Sequence, residues 1–360
     1  MRQLGKPSWL LSPDSLGRGD PSVPPRTIQL IEPTWLLTVK RILITGGAGF
    51  IGSHLTETLL ARGHHVTVVD DESTGSAANL SHLQEETGLN YIQGDIGDID
   101  LVRQVTSDVD QVYHLAAAVG VALIAKEPLE TIERNIYPTQ LLFAELRKRV
   151  EQGEAVRVFL ASTSEVYGKN SKETWTEEDD LVFGATTKPR WSYGVSKAID
   201  EFLALACWRQ FQLPVVIGRF FNVVGPRQSG AYGMVLPRFV QAACDNQPLV
   251  VHDDGKQIRC FAHVHDVIGA VLQLMETDNA LGKVFNIGSD QPVSIEELAQ
   301  TVIRLSGSPS KIQFQSYTDA YDADFEDIRR RVPDLSRLQQ TIDYQPQYDL
   351  EAIVQQLITG

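Results

Sequence analysis

From Arg41 onward, short apolar runs alternate with amphipathic stretches. The apolar runs are ILIT, VTVVD, YIQGD, QVYHLA, RVFLAST and PVVIGRF. Short runs that are apolar almost throughout are typical of parallel strands buried on both faces. The stretches between them, such as IGSHLTETLLARG and PLETIERNIYPTQLLFAELRKRV, place apolar residues every three or four positions, which predicts helices. This alternation predicts an α/β fold with a doubly wound parallel sheet.

The regular alternation ends near Asn222. Beyond it, loops rich in Gly and Pro with isolated arginines extend to EELAQTVIRLSG, where a helical pattern returns. We therefore expect an α/β domain over residues 39–222 and a smaller, loop-rich C-terminal part over residues 223–360, with some segments returning to the first domain. Residues 1–38 are rich in Pro, Gly and Ser without periodicity, which indicates a disordered leader or an upstream extension of the gene model.

Composition narrows the class of protein. The 360 residues are 42% apolar and 22% charged, as in ordinary globular proteins. A formal net charge of −14 argues against a nucleic-acid binder, and no apolar run reaches the ~18 residues of a membrane span. Three scattered cysteines favour a reducing cytoplasm over a disulfide framework. His263 and His265 lack partners at metal-ligand spacing, so we expect no metal.

A glycine cluster follows the first apolar run. The segment TGGAGFIG, residues 45–52, joins a predicted strand to a predicted helix. Gly46, Gly49 and Gly52 permit a tight turn, close backbone approach to a pyrophosphate and close packing of helix on strand. The second strand ends on Asp70, 18 positions after the last glycine, where a carboxylate can bind the adenosine ribose. Together these features predict a dinucleotide site.

Neighbouring positions should line the same site. Asp70 and Asp71 would repel the additional phosphate of NADP, and no arginine follows them closely, so the expected cofactor is NAD. The third and fourth apolar runs end at the carboxyl edge of the sheet, where the cofactor crevice of this fold lies. The other predicted cofactor-binding residues are Phe50 and Ile51 at the start of the helix, Asp95 and Ile96 after the third run, and Leu115, Ala116 and Ala117 after the fourth.

Two residues four positions apart predict acid–base chemistry. Tyr193 and Lys197 in YGVSK would share one face of a helix. A nearby ammonium group favours the phenolate and lowers the pKa of a tyrosine, which can then act as a base near neutral pH. Such pairs also occur by chance on helix surfaces. This pair gains weight because it follows a dinucleotide motif and a strand that ends in hydroxyl residues.

Taken together, the motifs resemble those of the extended short-chain dehydrogenases/reductases, in the NAD-dependent group of nucleotide-sugar epimerases, dehydratases and decarboxylases. The resemblance runs from about Val39 to the C-terminus. It rests on TGGAGFIG, Asp70, GD, HLAA, STSEVYG, YGVSK, RFFNVVGPRQ and GKQIRCFAHVHD, in that order. It implies a Rossmann domain that binds NAD over residues 39–222 and a C-terminal part that mainly binds a nucleotide-sugar substrate.

The resemblance also implies roles for the reacting groups. Thr163 would hydrogen-bond the C4 oxygen of the sugar, and Tyr193 would remove its proton while NAD accepts hydride from C4. Lys197 would hold the nicotinamide ribose as well as assist Tyr193. The product of this step is a 4-keto sugar. The same intermediate serves an epimerase, a dehydratase or a decarboxylase.

Two residues beside Thr163 bear on the choice among these reactions. The pattern Thr163-Ser164-Glu165 resembles that of UDP-glucuronate decarboxylases and of some 4,6-dehydratases. Simple 4-epimerases usually have no acid at the position of Glu165. Ser164 replaces the aspartate with which deoxythymidine-diphosphoglucose dehydratases protonate the leaving hydroxyl. We therefore expect decarboxylation of UDP-glucuronate to UDP-xylose, with UDP-sugar 4-epimerisation as the alternative and 4,6-dehydration third. The bland alternative for Glu165 is a solvated carboxylate at a strand end.

Arginines are expected on the substrate side. By resemblance, Asn222, Arg227 and Arg259 contact the nucleotide diphosphate or the sugar, and an arginine at the place of Arg259 lies near the reacting carboxylate in decarboxylases. Arginine suits both roles because it pairs with phosphate or carboxylate in a bidentate manner. Surface ion pairs are the alternative for each. One arginine of a basic cluster, Arg329, Arg330 and Arg331, should reach the diphosphate, and the sequence does not distinguish which.

Association is implied by kinship alone. Relatives of this family form dimers through a four-helix interface, and the helices expected around residues 128–150 and 193–211 are long and apolar enough for one. A face buried within the chain would give the same pattern. The resemblance thus implies a cytoplasmic homodimer that binds a nucleotide sugar, most simply a UDP-sugar, and neither nucleic acid nor membrane.

Overall fold

A central parallel sheet organises the fold. The computed structural model describes residues 39–119, 128–230, 234–317 and 326–359. The strands are β1 (Arg41–Thr45), β2 (His65–Asp70), β3 (Leu89–Gln93), β4 (Gln111–His114), β5 (Arg157–Thr163), β6 (Val215–Phe220), β7 (Val223–Val224), β8 (Leu249–His252), β9 (Ile258–Cys260), β10 (Ala262–His263), β11 (Lys283–Ile287), β12 (Pro292–Ser294) and β13 (Ile312–Gln315). The leader predicted over residues 1–38 lies outside the described residues.

Helices cover both faces of this sheet. They are α1 (Phe50–Ala61), α2 (Ile99–Thr106), α3 (Pro128–Glu151), α4 (Ser192–Phe211), α5 (Val235–Cys244), α6 (Val264–Glu276), α7 (Ile295–Ser306), α8 (Ser336–Thr341) and α9 (Leu350–Thr359). No helix in the described ranges is long and apolar enough to cross a bilayer.

Strand order places a crevice at a defined point of the sheet. The seven strands run in the order β11-β6-β5-β4-β1-β2-β3, and every pairing is parallel. From β1 the chain proceeds outward to β2 and β3, and then returns to β4 on the other side. Such a reversal opens a crevice at the carboxyl ends of the strands. Register brings Thr45 beside both Val69 and His114 at this edge. The predicted doubly wound sheet is confirmed.

Alternation along β1 shows why its sequence is apolar throughout. Ile42 and Ile44 pack on one face in a core shared with Leu55 and Leu59 of α1. Leu43 points to the opposite face, into a core shared with α3 and α4. Successive strand residues face opposite sides, so a strand covered on both sides needs apolar residues at every position.

The C-terminal residues build a second, smaller core. Parallel pairing of β8 with β13 and antiparallel pairing of β12 with β9 support it, and α5, α7 and α9 pack around it. Some of the later chain joins the main sheet, since β11 pairs with β6. The described residues from Val39 onward form one compact unit. The domain boundary near Asn222 stays a prediction.

Candidate active site

A cleft of about 750 Å³ lies at the carboxyl edge of the main sheet, between it and the C-terminal part. The residues predicted to serve catalysis, cofactor or substrate all line this cleft. They are Gly46, Gly49, Phe50, Ile51, Gly52, Asp70, Asp95, Ile96, Leu115, Ala116, Ala117, Thr163, Ser164, Glu165, Tyr193, Lys197, Asn222, Arg227 and Arg259. Their individual roles remain predictions, but the structure brings them to one place.

The glycine cluster is packed too tightly for side chains. Gly46 has φ +73°, and a Cβ there would lie 2.7 Å from the Ala116 backbone nitrogen. At Gly52 a Cβ would lie 2.2 Å from the Gly46 carbonyl oxygen. The turn therefore lies directly against the end of β4, and α1 begins at the cleft. Gly49 at its N-cap supplies no capping side chain, so the first N–H groups are available to a pyrophosphate.

Asp70 lies where a ribose carboxylate is needed. It is buried, and its two carboxylate oxygens accept hydrogen bonds from the Ala48 nitrogen at 2.9 Å and the Glu72 nitrogen at 2.8 Å. Burial raises the pKa of Asp70, and these two backbone donors counteract the rise. Each oxygen keeps a lone pair for a ribose hydroxyl. The glycine turn, the α1 N-terminus and Asp70 therefore fit NAD.

An arginine that the sequence did not indicate approaches this end of the cleft. Arg134 of α3 forms an ion pair with Asp71, Nη1 to Oδ2 at 2.9 Å. Its distance of 63 residues along the chain hid it from a search for arginines following β2. Asp70 remains free of an arginine among the described residues, so the charge that disfavours NADP is retained.

We expect the Asp70→Asn substitution to raise the Kd for NAD about 10-fold and to reduce discrimination against NADP. The reason is that hydrogen bonds to a charged acceptor contribute roughly 1.5–3 kcal/mol, and the amide also removes the charge that repels a 2′-phosphate. Titration calorimetry with both cofactors measures this. Glu72→Gln is the matched control, because Glu72 bonds the Ala77 nitrogen and Tyr91 outside the cleft. Equal weakening in both variants would contradict the role given to Asp70.

The predicted reacting groups converge in the middle of the cleft. Thr163 ends β5, and its hydroxyl oxygen accepts a hydrogen bond from the Glu165 nitrogen at 3.2 Å. A side-chain hydrogen bond joins Thr163 to Tyr193 near the start of α4. Lys197 follows one turn later, buried, and donates to Asp200 Oδ2 at 2.9 Å. The hydroxyl and the phenol are thus hydrogen-bonded to each other, and Lys197 and the glycine turn line the same cleft.

The acidity of Tyr193 differs from the expectation. Burial raises the pKa of the phenol, the negative charge of Glu165 raises it further, and the hydrogen bond to Thr163 acts in the opposite direction. The prediction that Lys197 lowers this pKa is therefore wrong for the protein without cofactor. The physical reason is the buried pairing of Lys197 with Asp200, which neutralises the ammonium charge.

Glu165 is held between two buried arginines. Arg190 Nη1 lies 2.6 Å from Oε2, and Arg331 Nη1 lies 2.5 Å from Oε1. Burial alone would raise the pKa of this carboxyl, but the charges of Arg331 and Arg190 outweigh it and hold the pKa at about 2. Glu165 is therefore ionised throughout the working range. The alternative of a solvated carboxylate is excluded, because its side chain is 11% exposed.

A second ion pair extends this cluster. Arg259 Nη2 lies 3.2 Å from Asp327 Oδ1, and Tyr317 donates to Asp327 Oδ2 at 2.6 Å. Burial, followed by the charge of Arg331, lowers the pKa of Arg259 to about 10, which leaves it charged near neutral pH. The cluster now holds three guanidinium groups, of Arg190, Arg259 and Arg331, against the carboxylates of Glu165 and Asp327. Counted over the described residues, one positive charge of this cluster remains unbalanced.

The structure separates the three arginines that the sequence left equivalent. Arg329 pairs with Asp253 and Asp254 on the surface, and Arg330 donates to the Glu173 carbonyl oxygen. Only Arg331 of the three lines the cleft, where it contacts Glu165. Sequence analysis missed Arg190, which lies just before YGVSK. Nothing in the neighbouring sequence distinguishes Arg190 from a surface arginine, because its partner, Glu165, follows β5 and lies 25 positions earlier.

The remaining predicted substrate residues are engaged in other contacts. Asn222 donates from Nδ2 to the Cys260 carbonyl oxygen at 2.9 Å. Arg227 pairs with Glu57 of α1, Nη2 to Oε2 at 2.5 Å, and donates to Ser53. Both line the cleft, but Arg227 is directed to the cofactor helix. Its contact with a substrate stays a prediction.

The two histidines considered as metal ligands lie in a packed region. In the described part of the chain, no group of three or more His, Cys, Asp or Glu side chains could hold a metal ion. His263 is fully buried and stacks on Tyr348, with ring centroids 3.9 Å apart, and its neighbour His265 packs edge-on against it. These histidines serve packing.

Comparison with known proteins agrees with this geometry. Residues 43–357 match the family model described as GDP-mannose 4,6 dehydratase. A UDP-N-acetyl-alpha-D-glucosaminuronate decarboxylase of Bacillus cytotoxicus is 41% identical over 87% of this chain and 94% of its own length. UDP-glucuronic acid decarboxylase 1 of Xenopus tropicalis is 35% identical over 87% of this chain and 70% of its own length.

Solved structures show the same fold. The UDP-glucuronic acid 4-epimerase of Bacillus cereus, in complex with UDP-glucuronic acid and NAD, superposes with a TM-score of 0.79 and 28% identity. The match covers 89% of this chain and 98% of that one. The resemblance inferred from motifs is confirmed. The chain belongs to the GDP-mannose 4,6-dehydratase family, within the superfamily of NAD-dependent epimerases and dehydratases.

Proposed function

We propose that this enzyme decarboxylates a UDP-linked hexuronate through a 4-keto intermediate, with conversion of UDP-glucuronate to UDP-xylose as the first reaction to test. One observation carries the proposal. A buried cluster with one unbalanced positive charge lies beside Thr163 and Tyr193, at the place where a substrate carboxylate would be bound. A neutral hexose would leave that charge buried and unpaired, which is costly. The names of the relatives support a uronate as substrate.

The residues have distinct tasks in this scheme. When bound, NAD supplies the hydride acceptor for C4 and, when oxidised, a positive charge that favours the Tyr193 phenolate. Tyr193 takes the O4 proton, and Thr163 orients that oxygen. The resulting 4-keto sugar is a β-keto acid, because its carboxylate is bonded to C5, the carbon next to the C4 carbonyl. The C5–carboxyl bond then breaks, CO₂ leaves, and the electron pair moves to O4, where Tyr193 and Thr163 stabilise the charge by hydrogen bonding. Protonation of C5 and return of the hydride to C4, with Tyr193 giving its proton back to O4, would complete the conversion.

Glu165 acts here through the arginines. With its pKa held at about 2, it has no proton to donate at neutral pH. Its two oxygens instead hold Arg190 and Arg331 in place and balance part of their charge. A substrate carboxylate would thus be held in place without being strongly stabilised, which suits a group that must leave as neutral CO₂.

Epimerisation is the alternative that a specific observation favours. The Bacillus cereus epimerase has UDP-glucuronic acid bound, so a uronate site does not by itself separate the two reactions. The product does. A dehydratase is less well supported, because Ser164 is buried and its hydroxyl is a poor acid for a leaving hydroxyl.

The deciding experiment incubates the purified enzyme and NAD with UDP-glucuronate and, separately, with UDP-N-acetylglucosaminuronate, and follows the sugar by proton NMR. We expect loss of the C5 carboxylate with release of CO₂ from at least one of them. A product that keeps its carboxylate and inverts C4 would replace the proposal with epimerisation. Turnover of neither uronate, with turnover of UDP-glucose, would remove the role given to the positive cluster.

A cytoplasmic homodimer is also proposed, through α3 and α4. These helices pack together and expose large apolar side chains on their outer face. The exposed residues are Leu129, Ile132, Tyr137, Val195, Ile199 and Phe202. A second copy with the same face would cover them in an isologous interface.

We expect Phe202→Glu to convert the dimer to monomers, because Phe202 is 69% exposed in the single chain and would place a charge in the centre of the interface. Light scattering coupled to size-exclusion chromatography measures the mass. The matched control is Phe314→Glu, since Phe314 is 52% exposed on β13 in the C-terminal part. Dimers that persist in Phe202→Glu, or dissociate equally in both variants, would contradict this interface.

A further inference from the structure

A buried ion pair lies one helical turn after Tyr193, the proposed base, and the mechanism above assigns no role to its acid. Lys197 and Asp200 of α4 lie three residues apart, with Nζ 2.9 Å from Oδ2. Their side chains are 3% and 0% exposed. A buried pair of this kind is costly to form from solvated ions, so its presence one turn from Tyr193 calls for a functional reason.

We propose that Asp200 is a positioning residue for Lys197, and that its charge sets the pH range in which Tyr193 works as a base. This inference rests on the proposed function only in taking Tyr193 as the base. It holds for any 4-oxidation of a nucleotide sugar by this site.

Geometry fixes the lysine from behind. The ammonium of Lys197 donates one N–H to Asp200, which leaves its other two N–H donors for the cleft. The far side of Asp200 faces the Thr139 hydroxyl. His114 Nε2 lies 2.9 Å from that hydroxyl, and His114 Nδ1 lies 2.7 Å from Thr45 Oγ1.

The charges around Tyr193 come from several elements. From the segment after β5, Glu165 opposes the phenolate, while Arg331 favours it and Asp200 opposes it from α4 itself. Arg190 pairs with Glu165, so its charge is largely balanced. Burial has the largest influence on the pKa of the phenol, and among these charged groups Asp200 is the one that pairs with Lys197.

Three titratable groups lie close to Asp200 or Tyr193. Burial, aided by the charge of Lys197, lowers the pKa of His114 to about 3, so this imidazole is neutral. Glu201 is paired in a bidentate manner with Arg219. Glu165 is ionised, with a pKa of about 2. In the complex with oxidised NAD, whose positive charge favours the phenolate, the acid limb of the activity profile should therefore record the titration of Tyr193.

The sign of the effect follows directly. The Asp200 carboxylate cancels much of the field of Lys197 at the phenol and so disfavours the phenolate. An uncharged residue at position 200 leaves the ammonium unopposed and lowers the pKa of Tyr193. Since activity requires the phenolate, the acid limb of the profile of kcat/KM should move to lower pH in Asp200→Asn, by about one unit.

The matched control is Glu201→Gln. Glu201 is the next residue of the same helix and is also buried, but its carboxylate pairs with Arg219 instead of Lys197. We expect this variant to lose thermal stability and to keep the wild-type acid limb. Asp200→Glu retains the charge and should also keep the limb near its wild-type position.

Two measurements separate this proposal from the proposed function. The pH profile is recorded with whichever nucleotide sugar the enzyme turns over, so a different substrate leaves the test intact. Phenolate formation in the NAD complex is followed by ultraviolet difference absorbance, with Tyr193→Phe as the blank, and needs no turnover. A limb and a phenolate titration that both coincide with wild type in Asp200→Asn would overturn the proposal. If neither Asp200→Asn nor Asp200→Ser folds while Glu201→Gln does, Asp200 serves core stability and the proposal is likewise overturned.

Discussion

Replacing Tyr193 by phenylalanine should lower kcat about 10³-fold, whichever nucleotide sugar is the substrate. General bases contribute roughly 10²–10⁴-fold, and this variant removes the base while leaving the ring in place. The hydrogen bond to Thr163 is lost, but the buried pair of Lys197 and Asp200 remains, so NAD should still bind. Substrate turnover by proton NMR, and formation of reduced cofactor by absorbance, measure the effect.

Tyr167→Phe is the control for this prediction. Tyr167 is fully buried and donates to Asn286 Oδ1 at 2.7 Å, in a part of the core that does not line the cleft. Loss of that hydroxyl should cost about 1 kcal/mol of unfolding free energy and leave kcat within a few-fold. If Tyr193→Phe retains wild-type turnover, Tyr193 is not the base and the enzyme mechanism proposed here fails.

Replacing Glu165 by glutamine should lower kcat on the order of 10²-fold for a uronate and lower its KM as well. The buried cluster would gain a second unbalanced positive charge, because Arg190 and Arg331 lose their shared anion. A substrate carboxylate would then bind more tightly in the ground state. Release of that group as neutral CO₂ would become slower, because the added ground-state stabilisation of the carboxylate is lost in the transition state and the barrier rises.

Stability provides a second readout of the same variant. Breaking a buried ion pair from one side costs roughly 3–5 kcal/mol, so Glu165→Gln should also unfold at lower temperature. Glu177→Gln is the matched control, since Glu177 is a buried carboxylate that binds the Asn286 nitrogen at 2.8 Å and does not line the cleft. Similar destabilisation with unchanged kinetics is expected there. Unchanged kcat in Glu165→Gln would show that the arginines need no counterion for catalysis.

The cofactor site could be predicted from local sequence patterns because its parts are close in sequence. Gly46, Gly49 and Gly52 are required by contacts within one turn and with the adjacent strand end, and Asp70 ends the neighbouring strand. Period and spacing are sufficient when strand, turn and helix follow one another. Arg134 escaped prediction because α3 carries it back to β2 from far along the chain.

The substrate side was less predictable because its residues are far apart in sequence. The ion pairs of this cluster join residues far apart in sequence, namely Glu165, Arg190, Arg259, Asp327 and Arg331. Sequence could place an acid at position 165 and arginines at 259 and 331. It could not show that they neutralise one another, because the pKa of a group depends on burial and on charges that lie near it in space.

By itself, the sequence determined the parallel sheet, the dinucleotide turn, the acid at the end of β2 and the presence of Tyr193 and Lys197 one turn apart, since each depends on local period or spacing. Only the tertiary structure decided that Asp200 pairs with Lys197, that Arg331 rather than Arg329 or Arg330 enters the cleft, and that Glu165 is permanently ionised. These properties arise from electrostatic interactions between segments distant in sequence, and burial sets their strength.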